Sequence, residues 1–149
     1  MRVEEIMEIK RLVESSEVKK ALEHFDDIFP NLKNRVSIEE YSKKMACNAK
    51  VYVLMERSEY IGFLAYYDND YKTNTAFITL IGIAKAYQNR HLGKELLVQC
   101  ENQCKEIGME SVRLEVRKDK PLAIRFYKNN GYNVYLENDK YFYMEKSIK

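Results

Sequence analysis

The stretch that most constrains this chain runs from Phe77 to Leu97. Phe77-Ile78-Thr79-Leu80-Ile81-Gly82-Ile83 carries no charge and is rich in β-branched and aliphatic residues, as expected of a strand buried on both faces. A short polar loop follows. Beyond it Leu92, Leu96, Leu97 and Cys100 recur at helical spacing, so the hydrophobic period changes from that of a strand to that of a helix. A strand that turns directly into a helix aims the free N–H groups and positive end of the helix at one point. With Arg90 and Lys94 beside it, that point suits a phosphate-bearing ligand.

A second ordered block lies downstream. Ser111-Val112-Arg113-Leu114-Glu115-Val116 reads as a strand, and Pro121 to Asn130 as a helix, with proline near its start and Gly131 just past its end. Two strings in these blocks carry a resemblance: Gln88-x-x-His91-x-Gly93, and Leu114-x-Val116 followed by Ala123-Ile124-x-Phe126-Tyr127-x-x-x-Gly131-Tyr132. Together, at this spacing, they resemble the acyl-CoA loop and the following strand and helix of the GNAT family of N-acetyltransferases. The resemblance covers roughly Val51 to Ile148. Two positions depart from the family pattern. His91 stands at the first glycine of the loop, where a side chain crowds the phosphates or forces an awkward backbone angle. Lys120 stands where relatives often have an asparagine that bonds the pantetheine arm.

The chain has 149 residues, 46% of them hydrophobic and 32% charged. That suffices for one sizeable core, so the expectation is one domain over 1–149, with 1–50 a helical acceptor-side region and 51–149 the core. No apolar run is long enough to span a bilayer, and Met1-Arg2-Val3-Glu4-Glu5 lacks the basic start and apolar middle of a signal peptide, which predicts a cytoplasmic protein without membrane contact. Three cysteines make no disulfide framework; Cys100 and Cys104 share one helical face and read as buried reduced thiols. The chain up to Asn74 has 12 basic and 14 acidic residues and the rest has 13 and 9, a net −2 against +4. The basic half carries the loop, which fits an anionic ligand but is too mild for nucleic-acid binding.

In the first fifty residues Ile6, Ile9, Leu12 and Val13 form one helical stripe and Val18, Ala21, Leu22 and Phe25 another. Ser15 and Ser16 ahead of Glu17 offer a cap between them. Phe29-Pro30-Asn31 ends the second helix, and Ser37, three residues ahead of Glu40, caps a third that runs through Ala46. No opening strand is evident. Strands at 51–55 and 60–67 form a hairpin across Glu56-Arg57-Ser58-Glu59, and a second polar turn covers 68–74. After the loop helix, about His91 to Ile107, come strand 111–116, helix 120–130 and strands 132–136 and 140–147. This order predicts an α+β fold: a mixed, mostly antiparallel twisted sheet of about six strands with a central splayed parallel pair, flanked by helices on both faces.

The resemblance implies an acyl-CoA-dependent N-acyltransferase. Its loop residues Gln88, Asn89, Arg90, His91, Leu92, Gly93 and Lys94 would hold acetyl-CoA, with Lys120 at the pantetheine position. An amide within Ile81 to Ile83 would polarise the thioester carbonyl, where negative charge grows as an amine attacks. Tyr127 matches the tyrosine that serves many relatives as general acid toward the departing thiolate. No metal is needed. Relatives often supply a glutamate base from the central strand, which here has no carboxylate; Thr79 holding a water, or Glu115, are the remaining options, His91 sits at the phosphates, and His24 reads as surface. Phe25, Phe29 and Tyr41 are candidates for the acceptor wall, or else core. Tyr66, Tyr67, Tyr71, Tyr132, Tyr135, Tyr141 and Tyr143 either form a phenolic rim round an amine or sugar or serve as strand formers. The acceptor stays open among amino sugars, polyamines, amino acids and protein amino groups. A catalytically silent CoA-binding sensor or complex subunit is the alternative, and a homodimer through the tyrosine-rich C-terminal strands is one option.

Overall fold

The computed structural model describes residues 7–149, so Ile6 and the five residues before it lie outside the described residues. The strands are β1 (Met7–Leu12), β2 (Lys50–Glu56), β3 (Glu59–Asp70), β4 (Thr75–Ile83), β5 (Ser111–Arg117), β6 (Asn133–Glu137) and β7 (Tyr141–Ser147). The helices are α1 (Ser15–His24), α2 (Leu32–Arg35), α3 (Ile38–Asn48), α4 (Leu92–Glu106) and α5 (Pro121–Asn129), with a 3-10 turn at Lys85–Tyr87. The sheet has seven strands in the order β1-β2-β3-β4-β5-β7-β6. β4 and β5 run parallel, and the β1–β2, β2–β3, β5–β7 and β6–β7 pairs run antiparallel. This is the expected α+β architecture with one strand more.

The extra strand corrects the reading of the N-terminus. Residues 7–12 are not helical: they pair with β2 from Met7↔Glu56 to Leu12↔Val51. The spacing of Ile9, Leu12 and Val13 imitates a helical stripe, but the open edge of β2 decides the conformation, as tertiary pairing overrides weak local preference. The predicted serine cap is also displaced. Glu14 is the N-cap residue of α1 and makes no side-chain cap bond. Ser37 does cap α3, its hydroxyl accepting the Glu40 N–H at 3.4 Å, an arrangement worth about 1 kcal/mol.

The chain divides into two compact units. One holds the residues up to Tyr66 together with Leu80–Leu97. Its core is built from Leu12, Val18, Leu22, Phe25, Met45, Val51, Val53, Phe63 and Leu96, all nearly inaccessible. The β2–β3 hairpin turns at Arg57 and Ser58, both with positive φ (50° and 73°), the backbone sign that a two-residue hairpin turn with the right twist demands. The other unit holds Tyr67–Thr79 and Val98–Lys149, with Cys100, Cys104, Val112, Leu114, Tyr132 and Met144 in its core. Cys100 and Cys104 are buried free thiols as predicted, whereas Cys47 is free and exposed.

β4 differs from its sequence reading. Its register with β5 covers Thr75↔Ser111, Ala76↔Val112 and Phe77↔Arg113, while β4 continues to Ile83 and β5 to Arg117. Ala76 and Ile78 are buried, but Thr79 to Ile83 are all half-exposed. An uncharged strand is therefore not enclosed on both faces. Its apolar second half stays partly accessible.

Candidate active site

The first set of predicted site residues belongs to the unit that contains Leu80–Leu97. Ile81 and Ile83 lie in the half-exposed end of β4, on either side of Gly82. A Cβ on Gly82 would come within 2.6 Å of Ile28 Cγ2 and 3.1 Å of the Phe29 ring. The segment after α1 thus lies directly against the β4 backbone, and only a residue without a side chain admits it. Phe29 packs edge-on against Phe63 at 5.9 Å between ring centroids and stays half-exposed. Phe25 is core, at 1% exposure. Tyr41 is half-exposed on α3.

Beyond Ile83 the chain makes the 3-10 turn at Lys85–Tyr87 and enters the loop. Gln88 reaches back, its Nε2 donating to the Ile83 carbonyl at 2.9 Å. The glutamine therefore braces the loop on the end of β4. Asn89 and His91 both occupy the left-handed region, with φ of 67° and 61°, and Arg90 lies between them with its guanidinium 5.1 Å from the Tyr87 ring centroid. Left-handed residues interleaved in a turn gather successive N–H groups into an anion-binding concavity. His91 is strained by that geometry, because a side chain in this region costs of order 1 kcal/mol where glycine costs none. The awkward angle foreseen at this position is real.

α4 begins at Leu92, and the His91 carbonyl accepts the Glu95 N–H at 3.3 Å. The N–H groups of Leu92, Gly93 and Lys94 belong to the first turn, where helix geometry gives them no intrahelical acceptor. Leu92 is buried and anchors the turn, Gly93 is half-exposed, and Gln88, Asn89, Arg90, His91 and Lys94 are exposed. First-turn donors without an intrahelical acceptor, the positive helix end and the charges of Arg90 and Lys94 give this loop the chemistry that an anionic ligand requires.

Tyr127 belongs to the other unit, on the last turns of α5. Its ring meets Phe126 at 5.3 Å and Tyr132 at 6.1 Å, both edge-on. Burial pushes its phenol up to about 12. Among the described residues no group hydrogen-bonds the hydroxyl, and the residue is half-exposed, so the phenol is protonated and available to a ligand. Lys120 is the exposed N-cap residue of α5, makes no side-chain cap bond and precedes Pro121 at the first helical position. Glu115 is exposed on β5, opposite Tyr143. His24 is exposed, with Nε2 3.1 Å from the Tyr60 carbonyl oxygen.

The tyrosines do not form one rim. Tyr66 and Tyr132 are fully buried, whereas Tyr71 and Tyr135 are 65% and 44% exposed. Tyr132 is neither rim nor strand: it lies buried between α5 and β6. Its hydroxyl donates to Glu101 Oε2 at 2.8 Å, and the other oxygen of Glu101 accepts from Lys146 Nζ at 2.9 Å. Burial and the neighbouring carboxylate both push the Tyr132 phenol far up. Nothing in the spacing of residues 101, 132 and 146 signals this contact. Among the described residues no group of three His, Cys, Asp or Glu side chains could hold a metal ion, and no helix is long and apolar enough to cross a membrane.

No curated protein matches this sequence. Solved structures do match the fold. A GNAT-family acetyltransferase from Staphylococcus aureus superposes with a TM-score of 0.76 at 18% identity, covering 95% of this chain and 100% of its own. The ribosomal-protein-S18-alanine N-acetyltransferase of Escherichia coli gives 0.75 at 18%, covering 96% and 94%. The PaiA N-acetyltransferase of Thermoplasma acidophilum, in complex with coenzyme A, gives 0.72 at 20%, covering 95% and 98%. The model of the acetyltransferase (GNAT) family matches residues 18–132, most of the chain and both blocks from which the site was built. This chain belongs to the acetyltransferase (GNAT) family.

Proposed function

We propose that the chain works as a single cytoplasmic acetyltransferase domain that moves the acetyl group of acetyl-CoA directly to a primary amine, without a metal. The observation that carries this reading is the loop. Asn89 and His91 are left-handed immediately ahead of the exposed first turn of α4, at the residues that match the family's acyl-CoA loop. The pyrophosphate would lie on the N–H groups of residues 89–94, and the pantetheine arm would lie along the half-exposed end of β4, adding to it as a strand does. A backbone N–H within Ile81 to Ile83 would then stand at the thioester carbonyl. As the amine nitrogen bonds to the carbonyl carbon, charge builds on that oxygen, and a fixed dipole stabilises it without reorganising.

The C–S bond then breaks, and Tyr127 presents its hydroxyl to the departing sulfur. A phenol near 12 is a weaker acid than a free thiol of about 8.5. Its contribution is therefore a hydrogen bond to sulfur during cleavage in which it keeps its proton, and the proton that the nascent ammonium releases to solvent balances the departing thiolate. β4 carries no carboxylate between Phe77 and Ile83, so the amine enters neutral or loses its proton to water. That same feature favours a second reading, a CoA-binding sensor or complex subunit without transfer activity.

The acceptor class is a small-molecule amine or a protein amino group. Calorimetric titration with acetyl-CoA and with free CoA, followed by a thiol-release screen over amino sugars, polyamines, amino acids and peptides, tests the proposal. Binding with turnover supports it. Binding without turnover on any acceptor favours the sensor, and absence of binding overturns both readings.

A further inference from the structure

The end of α5 is closed by two backbone bonds: Gly131 N–H to the Lys128 carbonyl at 3.1 Å and Tyr132 N–H to the Tyr127 carbonyl at 3.0 Å. With Gly131 at φ 94° this is the Schellman closure, in which the residue after the glycine packs on the residue whose carbonyl it caps. The closure therefore fixes Tyr132 against Tyr127. The two rings meet edge-on at 68°.

Tyr132 is in turn held from two further elements. Its hydroxyl is bound by Glu101 of α4, and Glu101 is bound by Lys146 of β7. The Lys146 ammonium lies 5.9 Å from the Tyr132 ring centroid, and its stem crosses Gly131 so closely that a Cβ there would meet Lys146 Cε at 3.2 Å. Tyr132 is inaccessible and Glu101 is 9% exposed. Burying a carboxylate and orienting an ammonium costs desolvation that a phenylalanine in the same space would avoid. What the polar set adds is direction, since the Tyr132 hydroxyl and the Lys146 ammonium each bond a different oxygen of one carboxylate.

We propose that Tyr132, clamped by Glu101 and Lys146, is a positioning residue that holds the Tyr127 ring in one orientation, with its hydroxyl directed to the departing sulfur. The proposal rests on the reading of Tyr127 as the acid. NMR of protein labelled with 13C-tyrosine, with Tyr127 assigned from the Tyr127→Phe variant, reads the clamp without any acceptor. Wild type should show the two edges of the Tyr127 ring as separate signals. In Tyr132→Phe and in Glu101→Gln, which keeps the carboxylate's shape, they should merge as the packing that holds the ring loosens and flipping about its long axis accelerates. An unchanged flip rate in both variants overturns the clamp.

Turnover is read as thiol release from acetyl-CoA with the fastest acceptor of the screen. Tyr132→Phe should lower kcat by about fivefold or more, leave the KM for acetyl-CoA within about twofold, and have no further effect in a Tyr127→Phe background. Multiplicative loss in the double variant would mean a general structural role and overturn the proposal. Full turnover in Tyr127→Phe removes the acid reading and the positioning role with it; loss in Tyr127→Phe but not in Tyr132→Phe removes the positioning role alone.

Discussion

Residues 85–94 and residues 127–132 each join a helix to what lies beside it, and each uses backbone in the left-handed region. In the first segment Asn89 and His91 take that conformation with exposed side chains; in the second Gly131 takes it, next to a tyrosine with no accessible surface. The loop before α4 leads into first-turn N–H groups that have no intrahelical acceptor, and its own side chains are mostly exposed. The turn after α5 satisfies its own backbone and fixes one phenol against another. Recognition by main chain tolerates changes of residue type and is broken by bulk, whereas chemistry by a side chain is broken by removal of one atom. The departures from the family pattern, His91 and Lys120, fall among exposed residues, while the Phe126-Tyr127-x-x-x-Gly131-Tyr132 string follows it.

The sharpest way to break this contrast is to add bulk to the loop. Gly93→Val should weaken acetyl-CoA binding by about a hundredfold or more, since backbone approach to a pyrophosphate requires the missing side chain. Thermal unfolding should move little, and micromolar affinity by calorimetry would show that the N–H groups are not the receptor. Removal of one atom from the other segment comes next. Tyr127→Phe should lower turnover by about tenfold while the acetyl-CoA dissociation constant stays within about twofold. Because burial pushes this phenol up to about 12, wild-type turnover should show no alkaline limb from Tyr127 below about pH 11; a limb near pH 10 that vanishes in the variant would contradict the desolvated setting.

The third change tests the turn itself. Gly131→Ala places a Cβ at φ 94° against the Lys146 stem, and should cost about 1–2 kcal/mol in denaturant unfolding. Equal stability would mean that the Schellman closure relaxes without loss. The smallest effect belongs to His91→Gly. It removes a side chain from φ 61° and should raise stability by under about 1 kcal/mol, the strain relieved being partly offset by a freer unfolded chain. Acetyl-CoA affinity should hold or improve, and a clear loss would assign the imidazole to phosphate contact.

Much of the fold was legible because its signals are local. The switch of period at the loop, the hairpin across Glu56 to Glu59, the Ser37 cap and the Pro121-to-Gly131 helix each depend on a few adjacent residues. β1 was not legible, since six residues with Ile9 and Leu12 three apart carry no strand period and take their conformation from pairing with β2. The exposure of Thr79 to Ile83 was hidden for a related reason: composition reports that a strand is apolar, not where its ladder to a neighbour ends. Within the site, the strain at His91 could be read from the glycine it replaces. The Glu101–Tyr132–Lys146 set could not, because hydrogen bonds across 31 and 45 residues leave no mark in the spacing of a single sequence.

The short parallel ladder between β4 and β5 also bears on how the chain assembles. Thr75 and Ser111, whose hydroxyls lie 3.2 Å apart, are 36 residues apart in the chain, and only Ala76↔Val112 and Phe77↔Arg113 extend their register. Ring closure of that length is offset by few backbone bonds, whereas the β2–β3 hairpin closes across two residues and pairs from Glu56↔Glu59 to Lys50↔Tyr66 with one register shift at Leu54/Met55. The local hairpins form first on this account and the parallel strands meet late. The half-exposed end of β4 lies beyond that register, and in the proposed function the pantetheine arm would supply there the backbone pairing that this part of the strand does not take from β5.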